Sequence, residues 1–303
     1  MVSAAELDAA MRERAERTER IMERLLGEEA ENGETYRPPI LLAAMRHGSL
    51  GGGKRLRPFL LAECAALCRA GGEAIDRVAA GLELVHCYSL VHDDLPAMDD
   101  DDLRRGRPTV HVAYDEATAI LAGDALMTLA YDAISAPETD LPGEIRATLV
   151  SMLSRASGVG GMGGGQMLDL RAQTEAPDEA GIVRLQAMKT GALIRFACEG
   201  GAVAAGADDA RRAALRAYGE TVGLAFQLAD DLLDVTQSSE AMGKATGKDA
   251  DAGKGTLVGL HGVEWTKGKL DELVARADAH LAPFGSEADM LRAAATFVAR
   301  RNH

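Results

Sequence analysis

The chain has 303 residues, a formal net charge of -14, 47% hydrophobic residues and 26% charged residues. This is the composition of an ordinary globular protein, and the negative charge disfavours nucleic-acid binding, which requires a basic face to neutralise phosphates. Aromatic residues make up 4% of the chain, while Ala, Leu and Met are abundant, so helices are favoured over strands. The composition therefore predicts an all-α protein.

The first thirty residues alternate Glu and Arg on a predicted amphipathic helix. They contain no apolar stretch of signal-peptide length, and no later segment has the roughly 20 consecutive apolar residues that cross a bilayer. We therefore expect a cytoplasmic protein without a transmembrane segment.

Helical periodicity continues along the rest of the chain, and no alternating strand pattern is found. Short Gly- and Pro-rich turns separate the predicted helices, and none of them resembles a domain linker. We therefore predict one domain, residues 1–303, formed by a single large helical bundle. The predicted helices are roughly 4–27, 40–48, 55–70, 74–95, 116–134, 142–156, 165–172, 178–204, 207–236, 256–280 and 286–302.

The four cysteines, Cys64, Cys68, Cys87 and Cys198, form no CxxC pair. Cys64 and Cys68 fall on one face of a predicted helix, and no histidine lies near them in the sequence. Small core residues are a better interpretation of these cysteines than a zinc site.

A glycine-rich turn, GGGKRLRP (Gly51–Pro58), precedes the third predicted helix. Basic residues at the start of a helix can bind an anion, although lysines and arginines at loop ends are usually solvated. The segment is not a P-loop, because no GK[ST] closes it.

The first acidic cluster, HDDLPAMDDDDLRRG, ends the long apolar helix predicted at 74–95. Asp93 and Asp94 close that helix, Pro96 disrupts its continuation, and the following turn carries Asp99 back towards them. So many carboxylates at the edge of a core require a counter-charge.

The second acidic cluster, QLADDLLD, lies in the long apolar helix predicted at 207–236. Gln227, Asp230, Asp231 and Asp234 are spaced i, i+3, i+4 and i+7, which places them on one helix face. Either cluster alone could be a helix cap or a solvated acidic surface. Two such clusters on apolar helices favour Mg²⁺, which carboxylates bind together with substrate phosphates. An EF-hand is disfavoured, because its ligand spacing and its required glycine are absent.

Basic residues accompany the two clusters at Lys54, Arg57, Arg104, Arg105, Lys189 and Lys244. Metal-bound carboxylates and direct ion pairs together suit two diphosphate sites. An acidic protein can therefore bind anionic substrates.

Six motifs, GGGKRLRP, HCYSLVHDDLPAMDDDDLRRG, GGGQMLDL, MKTGALI, FQLADDLLDV and GKATGKDADAGKGTL, occur in the order found in the trans-isoprenyl diphosphate synthases. From about Ile40 onwards the chain resembles this family, and is most similar to the bacterial-type farnesyl diphosphate synthases. The resemblance implies the isoprenoid synthase bundle with a central active-site cavity. It also implies a homodimer that condenses small-molecule prenyl diphosphates.

The resemblance also implies roles for particular residues. Three Mg²⁺ ions would accompany the allylic diphosphate, held by Asp93, Asp94, Asp99, Asp230, Asp231 and Asp234. Arg104, Lys189 and Lys244 would contact the same diphosphate, and Lys189, Thr190 and Gln227 would be catalytic, the last two through oxygens near the carbocation. Isopentenyl diphosphate would be bound by Gly53, Lys54, Arg57, His86 and Arg105.

Tyr88 and Ser89 precede Asp93 by five and four residues, about one helical turn deeper. By the same resemblance, an aromatic residue here ends the pocket for the growing prenyl tail, which predicts a C15 product. The alternative for Tyr88 is an ordinary core aromatic residue. The alternative for the product is that of a geranylgeranyl or geranyl diphosphate synthase.

Two further segments have expected roles. The glycine run Gly158–Gly165 is expected to permit close helix approach. Whether Gln166 and Asp169, which follow it, line the active-site cavity is left open. The segment 243–255 is predicted to form a lid, and the role of the C-terminal Arg300 and the three residues after it is left open. A terpene cyclase would not need the second diphosphate site, and a non-catalytic partner subunit should lack some ligands, so both are disfavoured.

Overall fold

The computed structural model describes residues 2–31, 33–241 and 256–300, and for 237–241 the backbone alone. The chain divides into two compact units, each described below by itself. The N-terminal unit contains Asp8–Ser151 and Val203–Gly206, and the C-terminal unit contains residues 2–7, Met152–Ala202 and the described residues from Ala207 onwards. The prediction of one domain for 1–303 stays a prediction.

Helices are the main elements of the N-terminal unit. They are most of α1 (Ala4–Leu25), α2 (Pro39–Ser49), α3 (Leu56–Leu67), α4 (Glu73–Asp93), α5 (Val110–Ala113), α6 (Glu116–Ser135) and the first part of α7 (Gly143–Ser157). A two-residue antiparallel hairpin joins β1 (Leu103–Arg104) to β2 (Arg107–Pro108). The predicted all-α fold is confirmed, and each strand of this hairpin has two residues, which is too few to show an alternating pattern in the sequence.

The centre of the N-terminal unit is α4, which packs against α6, α3 and α2. Residues around most of its circumference are buried, as its apolar sequence predicts. Gly81 permits the close approach of α6, since a Cβ there would lie 2.9 Å from the carbonyl oxygen of Ala130 and from Ile134. The long apolar helix predicted at 74–95 is therefore the central element of its unit.

Helices joined by short turns make up most of the described residues of the C-terminal unit. It contains the end of α7, α8 (Met162–Ala172), α9 (Glu179–Gln186), a π-helical segment (Ala187–Gly191), most of α10 (Ala192–Ala204), α11 (Asp209–Ala241), α12 (Leu257–His261), α13 (Val263–Leu281), a 3-10 segment (Ala282–Ala288) and α14 (Asp289–Arg300). The long helix α11 packs against α13, α14 and the π-helical segment. The Tyr218 hydroxyl, fully buried, donates to the carbonyl oxygen of Leu291 at 2.7 Å and joins α11 to α14.

Two predicted helices are interrupted in the structure. The helix predicted at 178–204 contains the π-helical segment, and the helix predicted at 256–280 breaks at Gly262, whose φ is 85°. Glycine adopts this left-handed conformation at little cost, which explains the break. The periodicity of apolar residues continues across both interruptions, so it did not reveal them.

In the part of the chain that the structure describes, α6 alone is long and apolar enough to cross a membrane by length and composition. Acidic residues Glu116, Asp124 and Asp132 lie along it, and one of its faces packs against α4. Ile120 and Leu121, however, are 45% and 56% exposed. This helix therefore carries apolar surface that its own unit leaves uncovered.

The four cysteines are buried thiols, as expected for core residues. Burial raises the pKa of Cys87 to about 12, with the charge of Glu83 acting in the same direction. This thiol is therefore protonated at neutral pH and unreactive.

Candidate active site

The acidic turn after α4 folds back onto the end of that helix. The amide of Asp99 donates to the carbonyl oxygen of Asp93 at 2.8 Å, and the amide of Asp101 donates to that of Asp94 at 3.2 Å. Pro96 cannot donate such a bond, so the helix ends before it. The predicted return of Asp99 towards Asp93 and Asp94 is confirmed.

Asp94 is the buried member of the first cluster, and Arg104 is its partner. Arg104 Nε donates to Asp94 Oδ1 at 2.7 Å, and Asp101 lies 3.7 Å from the same guanidinium. Burial raises the pKa of Asp94, although the hydrogen bonds and charge of Arg104 oppose this effect. Sequence reasoning assigned these residues to a metal and to a diphosphate, and the structure pairs them with each other.

The glycine-rich turn leads directly into α3 and is covered by Arg105. The guanidinium of Arg105 donates to the carbonyl oxygen of Gly52. A Cβ on Gly53 would lie 2.6 Å from Arg105 Nη1, and Gly53 has a φ of 132°, so only glycine fits this position. Lys54, beside it, is exposed.

His86 lies in α4 and is half-buried, and its pKa is lowered by burial and by nearby arginines. Burial and then the charges of Arg57 and Arg105 lower its pKa well below the usual value, so the ring is neutral at neutral pH. The structure therefore brings together Gly53, Arg57, His86 and Arg105, four of the five residues assigned to isopentenyl diphosphate.

A cavity of about 50 Å³ lies between the glycine-rich turn, the end of α4 and the β1–β2 hairpin. It is lined by Gly51, Cys87, Asp94, Arg104, Arg105, Arg107 and His47, together with several apolar residues. Arg107 Nη2 lies 3.2 Å from His47 Nδ1, and His47 Nε2 lies 2.7 Å from the carbonyl oxygen of Pro108. Sequence reasoning did not assign Arg107 or His47, because nothing near them in the chain marks them as partners.

The side chains one turn deeper in α4 are largely buried. Ser89 donates to the carbonyl oxygen of His86 at 2.8 Å, so its hydroxyl is engaged within its own helix. The Tyr88 ring lies edge-on to His92 with centroids 5.8 Å apart. Burial, followed by the nearby Tyr131 and Asp93, raises the pKa of Tyr88 to about 12, so the phenol is neutral.

The second acidic cluster lies on one face of the continuous helix α11, as predicted. Gln227, Asp230 and Asp231 are half-buried and Asp234 is exposed. Burial, and then the charges of Asp230 and Asp234, raise the pKa of Asp231 to about 6 against the opposing hydrogen bond from Gln186. These carboxylates therefore repel one another, and a cation would relieve that repulsion.

Gln186 is a residue of this site that sequence reasoning missed. Its Nε2 donates to Asp231 Oδ2 at 2.8 Å, and its buried Oε1 has no hydrogen-bond partner among the described residues. Its place at the end of α9, three residues before Lys189, is a signal that could have indicated it.

The π-helical segment carries Lys189 and Thr190, and glycines of neighbouring helices contact it. A Cβ on Gly165 would lie 2.2 Å from the backbone nitrogen of Lys189, and one on Gly223 would lie 3.0 Å from Gly191 Cα. The expectation that the glycine run ending at Gly165 permits close helix approach is confirmed. π-Helical turns are rare and occur frequently at functional sites.

Lys189 Nζ lies 2.5 Å from Asp169 Oδ2. Both residues belong to the C-terminal unit and both are half-buried. Thr190 is buried beside it. Lys244 and the predicted lid at 243–255 lie outside the described residues, as do the last three residues of the chain. Among the residues described, no three His, Cys, Asp or Glu side chains are placed to hold a metal ion by themselves.

A family model described as polyprenyl synthetase matches residues 38–284. Farnesyl diphosphate synthase of Escherichia coli (strain K12) is 44% identical over 271 residues, covering 86% of this chain and 89% of the relative. Geranylgeranyl pyrophosphate synthase 3, chloroplastic, of Arabidopsis thaliana is 40% identical over 274 residues, covering 88% of this chain and 75% of the relative.

Solved structures agree with these relatives. The crystal structure of an FPP/GFPP synthase from Zymomonas mobilis has a TM-score of 0.86 and 41% sequence identity, covering 98% of this chain and 100% of that chain. The chain belongs to the polyprenyl synthetase family and has its all-α fold.

Proposed function

We propose that the chain is a farnesyl diphosphate synthase. It condenses isopentenyl diphosphate head-to-tail with dimethylallyl and then geranyl diphosphate, giving (E,E)-farnesyl diphosphate and pyrophosphate. The observation that carries this proposal is the 44% identity to the Escherichia coli enzyme, which extends over 271 residues and 86% of this chain. The chain is accordingly a prenyl-transferring transferase.

The donor set fits Mg²⁺. Carboxylate oxygens are the hard ligands that this ion prefers, and it is usually bound by one or two of them together with waters and substrate phosphates. Each of the two aspartate clusters supplies only part of the ligands that Mg²⁺ needs. The remaining ligands would come from water and from the diphosphate of the substrate. The residues that would hold the ions are Asp93, Asp94, Asp99, Asp230, Asp231 and Asp234, with three ions when the allylic diphosphate is bound. Mg²⁺ would neutralise charge on the departing diphosphate.

Arg104, Lys189 and Lys244 are proposed to contact the allylic diphosphate. Arg104 and Lys189 already pair with the carboxylates of Asp94 and Asp169. A bound diphosphate would replace these partners with phosphate oxygens and leave the carboxylates available to other cations. Positive groups fixed where charge develops stabilise the transition state more than the ground state.

Isopentenyl diphosphate is proposed to bind at the glycine-rich turn, through Gly53, Lys54, Arg57, His86 and Arg105. The lowered pKa of His86 keeps its ring neutral, so His86 contributes a hydrogen bond and the three basic residues contribute the charge. No metal ion is needed at this second diphosphate. A terpene cyclase has no use for such a site, which favours condensation.

Ionisation of the allylic C–O bond leaves a carbocation that the isopentenyl double bond attacks, after which one proton is lost. Thr190 and Gln227 are proposed to direct oxygen atoms towards the cation. Thr190 is buried and Gln227 half-buried, which suits groups that work in a site from which water is excluded. The chain needs no nucleophilic side chain for this reaction.

The product is proposed to contain fifteen carbons, with Tyr88 and Ser89 closing the pocket for the tail. Tyr88 is a neutral, largely buried phenol one turn deeper than Asp93, and Ser89 has its hydroxyl bonded within α4. Geranylgeranyl diphosphate synthesis is the second candidate, and the 40% identity to the Arabidopsis thaliana synthase favours it.

The chain is further proposed to be a cytoplasmic homodimer that associates through α6. That helix leaves Ile120 and Leu121 exposed, and a second copy of the chain would cover them. A homodimer interface formed by the same face of two helices is self-complementary.

The test is to incubate the purified chain with Mg²⁺, isopentenyl diphosphate and either dimethylallyl or geranyl diphosphate. A C15 prenyl diphosphate is expected from both. A C20 product would assign the chain to the second candidate, and cyclic hydrocarbons or an absence of turnover would contradict the proposal.

A further inference from the structure

Arg55 lies between Lys54 and Arg57, two residues of the proposed isopentenyl diphosphate site, but its side chain is 1% exposed. Lys54 is exposed and Arg57 half-buried. The backbone of Arg55 is left-handed, with φ 44° and ψ 43°, at the first position before α3. This conformation is unfavourable for a residue with a Cβ and persists only where surrounding contacts impose it.

Those contacts come from three helices. Arg55 Nη1 donates to Glu83 Oε1 of α4 at 2.8 Å, and Nη2 donates to the carbonyl oxygen of Ser49 in α2 at 2.7 Å. Nη2 also donates to Glu19 Oε1 of α1 at 3.0 Å. The start of α3 is therefore fixed to α1, α2 and α4 through one guanidinium.

Stability alone does not explain this arrangement. Burial by itself would lower the pKa of Arg55, but the charge of Glu83 and the hydrogen bonds raise it, so the guanidinium stays charged. Arg55 Nε and Glu83 Oε2 are buried without a hydrogen-bond partner in the described part of the chain. An apolar pair of similar volume is often as stable as a buried ion pair, whereas charged pairs can specify one conformation.

The other side of the glycine-rich turn is fixed as well. Arg105 donates to the carbonyl oxygen of Gly52 and lies against Gly53. The turn is thus held by Arg105 on its outer side and by Arg55 where it enters α3, with Lys54 between the two.

We propose that Arg55, held by Glu83 and Glu19, is a positioning residue that directs Lys54 and Arg57 at the diphosphate of the isopentenyl substrate without touching that substrate. This inference rests on the proposed function. A misplacement of about 1 Å in such a site can reduce its effectiveness by as much as about a hundredfold.

The test replaces the buried ion pair with an apolar pair, Arg55→Met with Glu83→Leu, so that neither fully buried charge is left alone. Glu19 loses its partner but its side chain is 33% exposed and keeps contact with water. We expect the melting temperature to stay close to that of the wild type. The KM for isopentenyl diphosphate should rise at least about tenfold, while kcat and the KM for geranyl diphosphate stay within about threefold. A purely structural ion pair would leave both KM values unchanged once the pair is replaced.

Two controls accompany the double variant. Lys54→Gln removes a proposed direct contact and should raise the KM for isopentenyl diphosphate. Asp76→Asn weakens another buried ion pair between α1 and α4, in which Asp76 pairs with Arg14 at 2.6 Å. Asp76 precedes Glu83 by seven residues, roughly 10 Å along α4, so Asp76→Asn should lower stability and leave both KM values unchanged.

The outcomes separate this inference from the proposed function. If Lys54→Gln raises the KM for isopentenyl diphosphate and the double variant stays within about twofold of the wild type, the inference is overturned and the proposed function stands. If the wild type does not elongate an allylic diphosphate, the proposed function fails. The inference is then tested by calorimetric titration with isopentenyl diphosphate, and equal affinities of the wild type and the double variant for this ligand overturn it. Should the double variant fail to fold, Glu19→Gln replaces it, and an unchanged KM for isopentenyl diphosphate then overturns the inference.

Discussion

Asp231 shows how single residues in this chain are placed at a cost to the folded state. Burial and the neighbouring carboxylates raise its pKa to about 6, so the ionised group is less favourable in the folded protein than in the unfolded chain. A folded-state pKa above the unfolded value means that stability is lost as pH rises through this range. At neutral pH the carboxylate is mostly ionised, which is the form that the proposed Mg²⁺ site requires.

Asp231→Asn is therefore expected to separate activity from stability. The loss of one fixed charge from the diphosphate site should lower kcat by about a hundredfold or more. In the metal-free protein at neutral pH the same change removes repulsion and keeps the acceptor for Gln186, so the free energy of unfolding should rise. Steady-state kinetics and urea denaturation measure the two effects.

Glu264→Gln is the matched control, because this exposed carboxylate pairs with Lys267 within α13 alone. It should change neither quantity. A variant at Asp231 with wild-type kcat would remove this residue from the site.

Tyr88→Ala tests the residue proposed to set product length. Removal of the ring opens the pocket beyond the end of a C15 tail, so products longer than farnesyl diphosphate are expected. Tyr88→Phe keeps the ring and should still give the C15 product. Chromatography of the dephosphorylated products compares them, and identical products from all three proteins would show that Tyr88 is an ordinary core residue.

At the scale of the helices, glycines decide where segments approach one another. Gly165 lets α8 contact the π-helical segment, and Gly81 lets α6 lie against α4. A methyl group in such a contact meets backbone atoms, which cannot rotate away. The helices must then separate or the backbone must shift.

Gly165→Ala is accordingly expected to lower the free energy of unfolding by about 1–3 kcal/mol, the usual cost of overpacking. Because its Cβ would meet the backbone of Lys189, kcat should fall as well. Denaturant unfolding and steady-state kinetics test both effects.

Gly268→Ala in α13 is the control, since nothing lies within 4 Å of its Cβ position. Alanine is the better helix former, so this variant should gain up to about 1 kcal/mol. Equal effects of the two substitutions would contradict the packing argument.

At the scale of the whole molecule, the sequence predicted most of the helices and both acidic clusters, because apolar periodicity and local spacing are properties of neighbouring residues. It did not reveal contacts between residues distant in the chain. The guanidinium of Arg55 bonds to Glu83 and Glu19, and Gln186 bonds to Asp231, yet each of these partners lies at least 28 residues away. The β1–β2 hairpin and the π-helical segment were missed because they are too short to alter a periodic pattern.

The exposed apolar surface of α6 predicts the state of association. Leu121→Asp places a charge on the proposed dimer face and should convert a dimer of the chain into monomers. Val159→Asp, at a position 93% exposed in the C-terminal unit, should leave the dimer intact. Light scattering after size-exclusion chromatography measures both, and a wild-type monomer, or a dimer unaffected by Leu121→Asp, would contradict this role for α6.

We expect the two aspartate clusters to bind one allylic diphosphate through Mg²⁺. A crystal structure of the chain with Mg²⁺ and a non-reactive thio-substituted allylic diphosphate should show metal density in contact with both the Asp93–Asp99 and the Asp230–Asp234 carboxylates and with the diphosphate. An analogue bound without metal, or metal at one cluster alone, would show that the two clusters do not share a metal-bound diphosphate.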